Sequence, residues 1–232
     1  MPRVINSLGS ADVFAPALRI QRSLAASVEK RVLTALAIRT PAWISPDHLT
    51  LLSFVSQCMV GVCYAFARRN PSLLLVGVLF LALNWLGDSL DGTLARVRNK
   101  QRPRYGFYVD HIADTIAAFF LMSGLAVSGY IHPTVAFGML ITFLMLSIES
   151  YLATYTLGEF QLSYWKFSPT EIRILLALGN VALLRHAAIS LFKYRILLFD
   201  VGGVIAIAGM GAMLIVSTVR HITRLYREEP IA

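Results

Sequence analysis

Apolar residues gather in six long stretches: Leu49 to Ala67, Leu73 to about Leu94, Val109 to Tyr130, Val135 to Leu157, Ile172 to about Leu191, and Ile196 to Val219. Each approaches the roughly 20 residues that a helix needs to cross bilayer hydrocarbon. The sequence shows no internal repeat, no low-complexity segment and no β-type alternation. The expected fold class is all-α, a polytopic membrane protein with six transmembrane helices. Ahead of them, from about Ala17 to Ile38, the residues Leu18, Leu24, Val28, Val32 and Leu36 recur at helical spacing, with Arg19, Arg22, Lys30 and Arg31 between them. This pattern predicts an amphipathic juxtamembrane helix, either lying on an anionic membrane surface or packed against the membrane domain. Thr40-Pro41 and Ser45-Pro46 punctuate the chain before the first span. The expected organisation is an N-terminal segment over 1–45, a membrane domain over 46–220 and a tail over 221–232.

Composition agrees with the pattern. Of 232 residues 56% are hydrophobic and 15% charged, against roughly 25% charged in soluble domains. The net charge of +8 would suit nucleic acid in a soluble protein, but here its distribution carries the information. With both termini cytoplasmic, that side receives Arg96, Arg98, Lys100, Arg102, Arg104, Lys166, Arg173, Arg220, Arg224 and Arg227, and the opposite side only Arg68, Arg69, Arg185, Lys193 and Arg195. This bias predicts cytoplasmic termini. The first 30 residues lack the apolar centre of a cleavable signal peptide. Cys58 and Cys63 stand five apart in one span, a spacing that suits neither a disulfide framework nor a metal site.

Acidic residues break the pattern at one place. The second span ends in Asp88-Ser89-Leu90-Asp91-Gly92, and the third opens on Asp110-His111-Ile112-Ala113-Asp114. Asp88 and Asp91 are i, i+3, and Asp110 and Asp114 are i, i+4, so each pair shares a helix face. Four carboxylates near apolar surroundings repel one another and need a positive partner. An oxygen-only set of this size suits one or two hard divalent cations, Mg2+ or Mn2+. The alternative is a set of ordinary helix-end charges, with Asp88 and Asp91 paired to Arg96 and Arg98. A cation transporter without chemistry would also use intramembrane acids.

The run Asp88-x2-Asp91-Gly92-x2-Ala95-Arg96-x9-Gly106-x3-Asp110-x3-Asp114 resembles the signature of the CDP-alcohol phosphotransferases, integral membrane enzymes of phospholipid synthesis. All eight signature residues are present. At residue frequencies of roughly 5–8%, chance agreement at one start is on the order of 10⁻¹⁰. The resemblance implies two cations, one held by Asp88, Asp91 and Asp110 and the other by Asp88, Asp110 and Asp114, with Asp114 also the catalytic base. It implies a nucleotide site at Asp91, Gly92, Ala95, Arg96 and Gly106, where small side chains admit the nucleotide. Their other reading is helix packing, with Arg96 snorkelling to the surface. Pro46-Asp47-His48-Leu49-Thr50 resembles the family's Pro-Asn-x-x-Thr segment and adds Thr50, with Asp47 in place of asparagine. Asp47 reads equally as the N-cap of the first span. His48 and His111 read as hydrogen-bond partners rather than catalysts.

For the acceptor, Glu171 and Arg173 at the start of the fifth span are candidates, although Ser168-Pro169-Thr170-Glu171 also reads as a helix start. Glu149, Tyr151 and Tyr155 on the fourth span suggest a place for a cationic head group. The favoured reaction transfers a phosphatidyl group from CDP-diacylglycerol to a small polar alcohol, releasing CMP. The alternative transfers a phosphorylated amino alcohol from CDP-ethanolamine or CDP-choline to a lipid hydroxyl such as diacylglycerol. The resemblance also implies a homodimer, with membrane lipids and no nucleic acid as partners.

Overall fold

The computed structural model describes residues 18–20, 26–161, 169–186, 188–191 and 194–230. Seven helices are found among them: α1 (Ala26–Arg39), α2 (Pro46–Ala67), α3 (Leu73–Val97), α4 (Pro103–Val127), α5 (Pro133–Leu157), α6 (Pro169–Arg185) and α7 (Leu198–Glu228). Proline opens α2, α4, α5 and α6, because its missing N–H costs nothing in a first helical turn. Gly158, at φ +68°, closes α5 in the left-handed conformation that glycine adopts without strain. Five helices, α2 to α5 and α7, are long and apolar enough to cross a membrane.

The helices α2 to α7 run alternately up and down, so the last turn of α3 and the first turn of α4 lie at one end of the bundle, here termed the site end. Two apolar cores hold the bundle. The larger lies toward the far end and unites Val60, Tyr64, Leu74, Leu81, Leu121, Leu125, Ile131 and Leu183. The smaller lies at the site end, where Leu33 and Ala37 of α1 pack on Leu49, Leu90 and Leu94. Between them is a polar layer of Ser53, Ser56 and Asn84, all buried. Near the far end Tyr64 donates to Asn180 Oδ1 (2.6 Å), and Asn180 Nδ2 donates to the Leu74 carbonyl, so α2, α3 and α6 are joined by one satisfied buried network.

Helix α2 is the spine, with its broadest contacts made to α3 and then to α4. Both approaches run through glycine. A methyl group on Gly87 of α3 would lie 2.6 Å from the Leu49 carbonyl oxygen and 2.8 Å from the Ser53 nitrogen, and one on Gly124 of α4 would overlap the Gly61 carbonyl.

Several sequence expectations change. The helix expected over Ala17 to Ile38 begins at Ala26, and Leu18–Ile20 is a strand paired in parallel with Glu159–Gln161; residues 17 and 21–25 lie outside the described residues. Of the two readings of that helix, packing is the one observed, because α1 buries Leu33 and Ala37 against α3 and its neighbours. The expected fifth span stops early. Helix α6 has 17 residues and ends where Arg185 and His186 interrupt the apolar run. Ala188–Leu191 and Tyr194–Leu197 then pair as two antiparallel strands. Two short strand pairs thus accompany the all-α fold. Helix α7 continues to Glu228, so the expected tail is largely helical.

The glycine crossings yield a test. Gly124→Leu should reach or exceed the roughly 1–3 kcal/mol usual for overpacking, because the obstacle is backbone. Gly209→Ala, where a methyl would meet nothing within 4 Å, should leave stability unchanged or slightly raised. Thermal unfolding of the two variants in detergent, followed by circular dichroism, checks both.

Candidate active site

Helix α3 carries the first two aspartates on the face that α2 and α6 approach. Asp88 Oδ2 accepts from Arg173 Nη2 of α6 (2.8 Å), while Arg173 Nε donates to Asn84 Oδ1 (2.6 Å) one helical turn earlier. Asn84 Nδ2 in turn donates to the carbonyl (3.0 Å) and hydroxyl (2.8 Å) oxygens of Ser53 on α2. A relay of bonds therefore runs from α2 through α3 to α6 and back to Asp88. The Arg173 side chain is only 14% exposed, so its charge is held in place by partners on both sides. Asp91 accepts from Thr50 Oγ1 of α2 (2.6 Å) and from the backbone N–H of Gly92.

Helix α4 brings the second pair. Asp88, Asp91 and Asp110 all act electrostatically on Asp114, as does the guanidinium of Arg173. The four carboxylates predicted from the sequence thus share one neighbourhood. The countercharge seen on Asp88 is Arg173, however, and not Arg96 or Arg98. Arg98 donates to the carbonyls of Thr40, Pro41 and Ile44 instead, which ties the α3–α4 turn to the segment after α1. Arg96 donates to Thr93 Oγ1 (3.0 Å) and lies beside Gly92.

A cleft of about 80 Å3 opens next to the acids. It is lined by Thr50, Asp91, Gly92, Ala95, Gly106 and Asp110, among others. Every predicted nucleotide residue except Arg96 therefore lies on one surface. A methyl group on Gly106 would meet nothing within 4 Å, and one on Gly92 would meet only Arg96 Nη1 at 3.5 Å. These two glycines are not helix-packing residues within the chain. At the rim Arg102 donates to both oxygens of Asp47 and lies 4.1 Å from the Tyr105 ring centroid. Those bonds raise the already high pKa of the guanidinium, so Arg102 stays charged. The N-cap of α2 is Ser45 rather than Asp47: Ser45 Oγ accepts from the His48 N–H, and His48 Nδ1 accepts from the Ser45 N–H. His48 is thus the hydrogen-bond partner it was expected to be.

On the α5 side the expected acid and aromatics separate. Glu149 faces α7, where Ser217 donates to it (2.8 Å) and His221 Nδ1 lies 2.6 Å away. Tyr155 is 89% exposed. Only Tyr151 remains with the site. It shares hydrogen bonds with Thr115 and Ser147, senses the charge of Asp114, and stands edge-on to His111 at 5.0 Å between ring centroids. Of the two acceptor candidates, Arg173 is placed among the acids, and Glu171 lies two residues before it in the first turn of α6. Asn84 and Ser53 were missed. Their signal was available, since a polar Asn inside an apolar span, one turn from an aspartate, marks a site.

Among the described residues no three His, Cys, Asp or Glu side chains already converge as a metal cage. Asp88 and Asp91 are turned toward Arg173 and Thr50 instead. The donor set still fits a hard divalent cation, because it is oxygen-only and its acids outnumber the arginine beside them.

The chain belongs to the CDP-alcohol phosphatidyltransferase family, whose model matches residues 43–219. No curated protein is similar enough to match it. Membership makes it an integral membrane transferase of phospholipid synthesis, with a CDP-alcohol donor and an alcohol acceptor.

The relay can be tested apart from chemistry. Asn84→Leu leaves the Arg173 guanidinium and Ser53 without their shared partner, at a cost of about 1–3 kcal/mol. Chemical unfolding in detergent micelles should show that loss.

Proposed function

We propose that the protein transfers a phosphatidyl group from CDP-diacylglycerol to the hydroxyl of a small polar alcohol, releasing CMP. The observation that carries the reading is the meeting of Thr50, Asp91, Gly92, Ala95, Gly106 and Asp110 on one cleft beside Asp88 and Asp114. The family's description as phosphatidyltransferases supports a lipid-linked donor. The reading includes a homodimer and, from the excess of arginine and lysine at the site end, a cytoplasmic site in an inner membrane.

In this reading Gly92, Ala95 and Gly106 leave room for the cytidine, and Thr50 holds Asp91 in position. Asp88, Asp91 and Asp110 would hold one divalent cation, and Asp88, Asp110 and Asp114 a second. Bound cations of this kind neutralise a diphosphate and its departing phosphate. Asp114 takes the proton of the acceptor hydroxyl. The hydroxyl oxygen forms a bond to the lipid-linked phosphorus, the phosphorus–oxygen bond to CMP breaks, and CMP leaves with that electron pair. Arg173 offsets part of the acidic charge around Asp114.

Purified protein given each radiolabelled CDP-linked donor with a pool of alcohols should convert CDP-diacylglycerol and release CMP. Conversion of CDP-ethanolamine or CDP-choline with diacylglycerol instead would overturn the donor assignment. Activity should require Mg2+ or Mn2+ and stop on chelation. Full turnover in excess chelator would remove the cations from the mechanism.

Single substitutions separate the acids. Asp88→Asn, Asp91→Asn and Asp110→Asn should each lose nearly all turnover while inserting normally. Asp114→Asn should abolish transfer yet keep CMP binding within roughly tenfold, about 1.4 kcal/mol. Normal transfer by that variant would exclude Asp114 as the base.

A further inference from the structure

The cleft of about 80 Å3 beside the acids is open rather than enclosed, so a ligand bound there also meets the charged side chains at its rim. Asp47, which stands in the segment resembling the family's Pro-Asn-x-x-Thr, and Arg102, which no motif singles out, both line this cleft and are bonded to each other.

Charge makes that bond costly to a donor. Three carboxylates, Asp47, Asp91 and Asp110, face two cations, Lys100 and Arg102. While Arg102 is paired with Asp47 it presents no net positive charge, and the Asp47 carboxylate would repel a diphosphate. The pair is also easily exchanged, since the two side chains are 53% and 47% exposed and such pairs are weak. A diphosphate is a stronger partner for a guanidinium than a single carboxylate, because it offers more charge and matches the two-pronged geometry.

Exchanging the Asp47 carboxylate for a diphosphate needs only side-chain movement at Arg102. Arg98 anchors the α3–α4 turn through three carbonyls of residues 40–44. Tyr105, against which the Arg102 guanidinium already stacks at 4.1 Å, also lines the cleft and keeps Arg102 beside it when Asp47 lets go. We infer that Arg102 is a donor-binding residue held in reserve by Asp47, and that the diphosphate of the CDP-linked donor displaces the Asp47 carboxylate as its partner. The inference rests on the proposed function and adds to it how the donor is recognised. It also gives the Asp47 that replaces the family's asparagine a role in tuning donor affinity.

Binding of CDP and of cytidine to the full-length protein in detergent, measured calorimetrically with Mg2+ at low and high salt, tests this. Asp47→Asn should tighten CDP at least threefold at low salt, with the gain shrinking at high salt. Arg102→Gln should weaken CDP about tenfold or more, and neither variant should change cytidine binding appreciably. Weaker CDP binding by Asp47→Asn would make Asp47 a direct ligand and overturn the exchange. An unaltered affinity in Arg102→Gln would overturn the role of Arg102. Both side chains are exposed, so unchanged unfolding temperatures are expected and serve as the folding control. If the unaltered protein binds neither CDP nor CMP, the proposed function itself fails. If it binds both while the variants behave like it, only the Arg102 assignment fails.

Discussion

Two backbone-to-backbone approaches set the geometry on which the site depends. At Gly87 the α3 helix lies against the Leu49 carbonyl and Ser53 nitrogen of α2, and at Gly124 the α4 helix lies against Gly61 of the same helix. Apolar side chains alone would not hold these helices so close, because in lipid the surrounding tails are equally apolar. Small residues let the helices meet over a long surface, and dispersion then accumulates along it. Gly87 immediately precedes Asp88, so the tightest part of the α2–α3 crossing is also where the acidic face begins.

That proximity explains why α2 supplies partners to both acids of α3 although it carries none of the four clustered aspartates itself. Thr50 reaches Asp91 directly, and Ser53 reaches Asp88 through Asn84 and Arg173. Charges at membrane depth are tolerated when each is bonded. The relay satisfies this requirement for Arg173, and it fixes α6 to the bundle at the site end while Asn180 does so toward the far end. A helix of 17 residues is thereby held at both ends by polar contacts. The chain positions its acids through rigid elements rather than loops, which suits a site whose function requires closely set charges.

Much of this was legible in the sequence. The acidic pairs stand out because carboxylates at helical spacing do not occur by accident beside apolar spans, and the long helices follow from hydropathy alone. What could not be read was the choice of partner. Asp88 has arginines eight and ten residues downstream, yet the one that reaches it is 85 positions away. Local spacing decides which residues share a face, whereas packing decides what that face meets. Glu149 shows the same limit: sequence proximity grouped it with Tyr151, but two residues on a helix point in different directions, and α7 receives the acid. The early end of α6 was hidden for a different reason, since the apolar residues after His186 fit a short strand pair as well as a helix.

The glycines show why residue type alone does not reveal a role. Gly61, Gly87 and Gly124 are small so that another backbone can occupy the space a side chain would fill. Gly92 and Gly106 are small where little or nothing of the chain lies nearby. The first group has its neighbour already in place, and the second borders a cleft that protein atoms leave open. Small residues at the second kind of position gain nothing from packing within the chain, and glycine in a helix carries an entropic cost relative to alanine. At the first group that cost is offset by the close helix contact that the missing side chain allows, and at the second no contact within the chain offsets it.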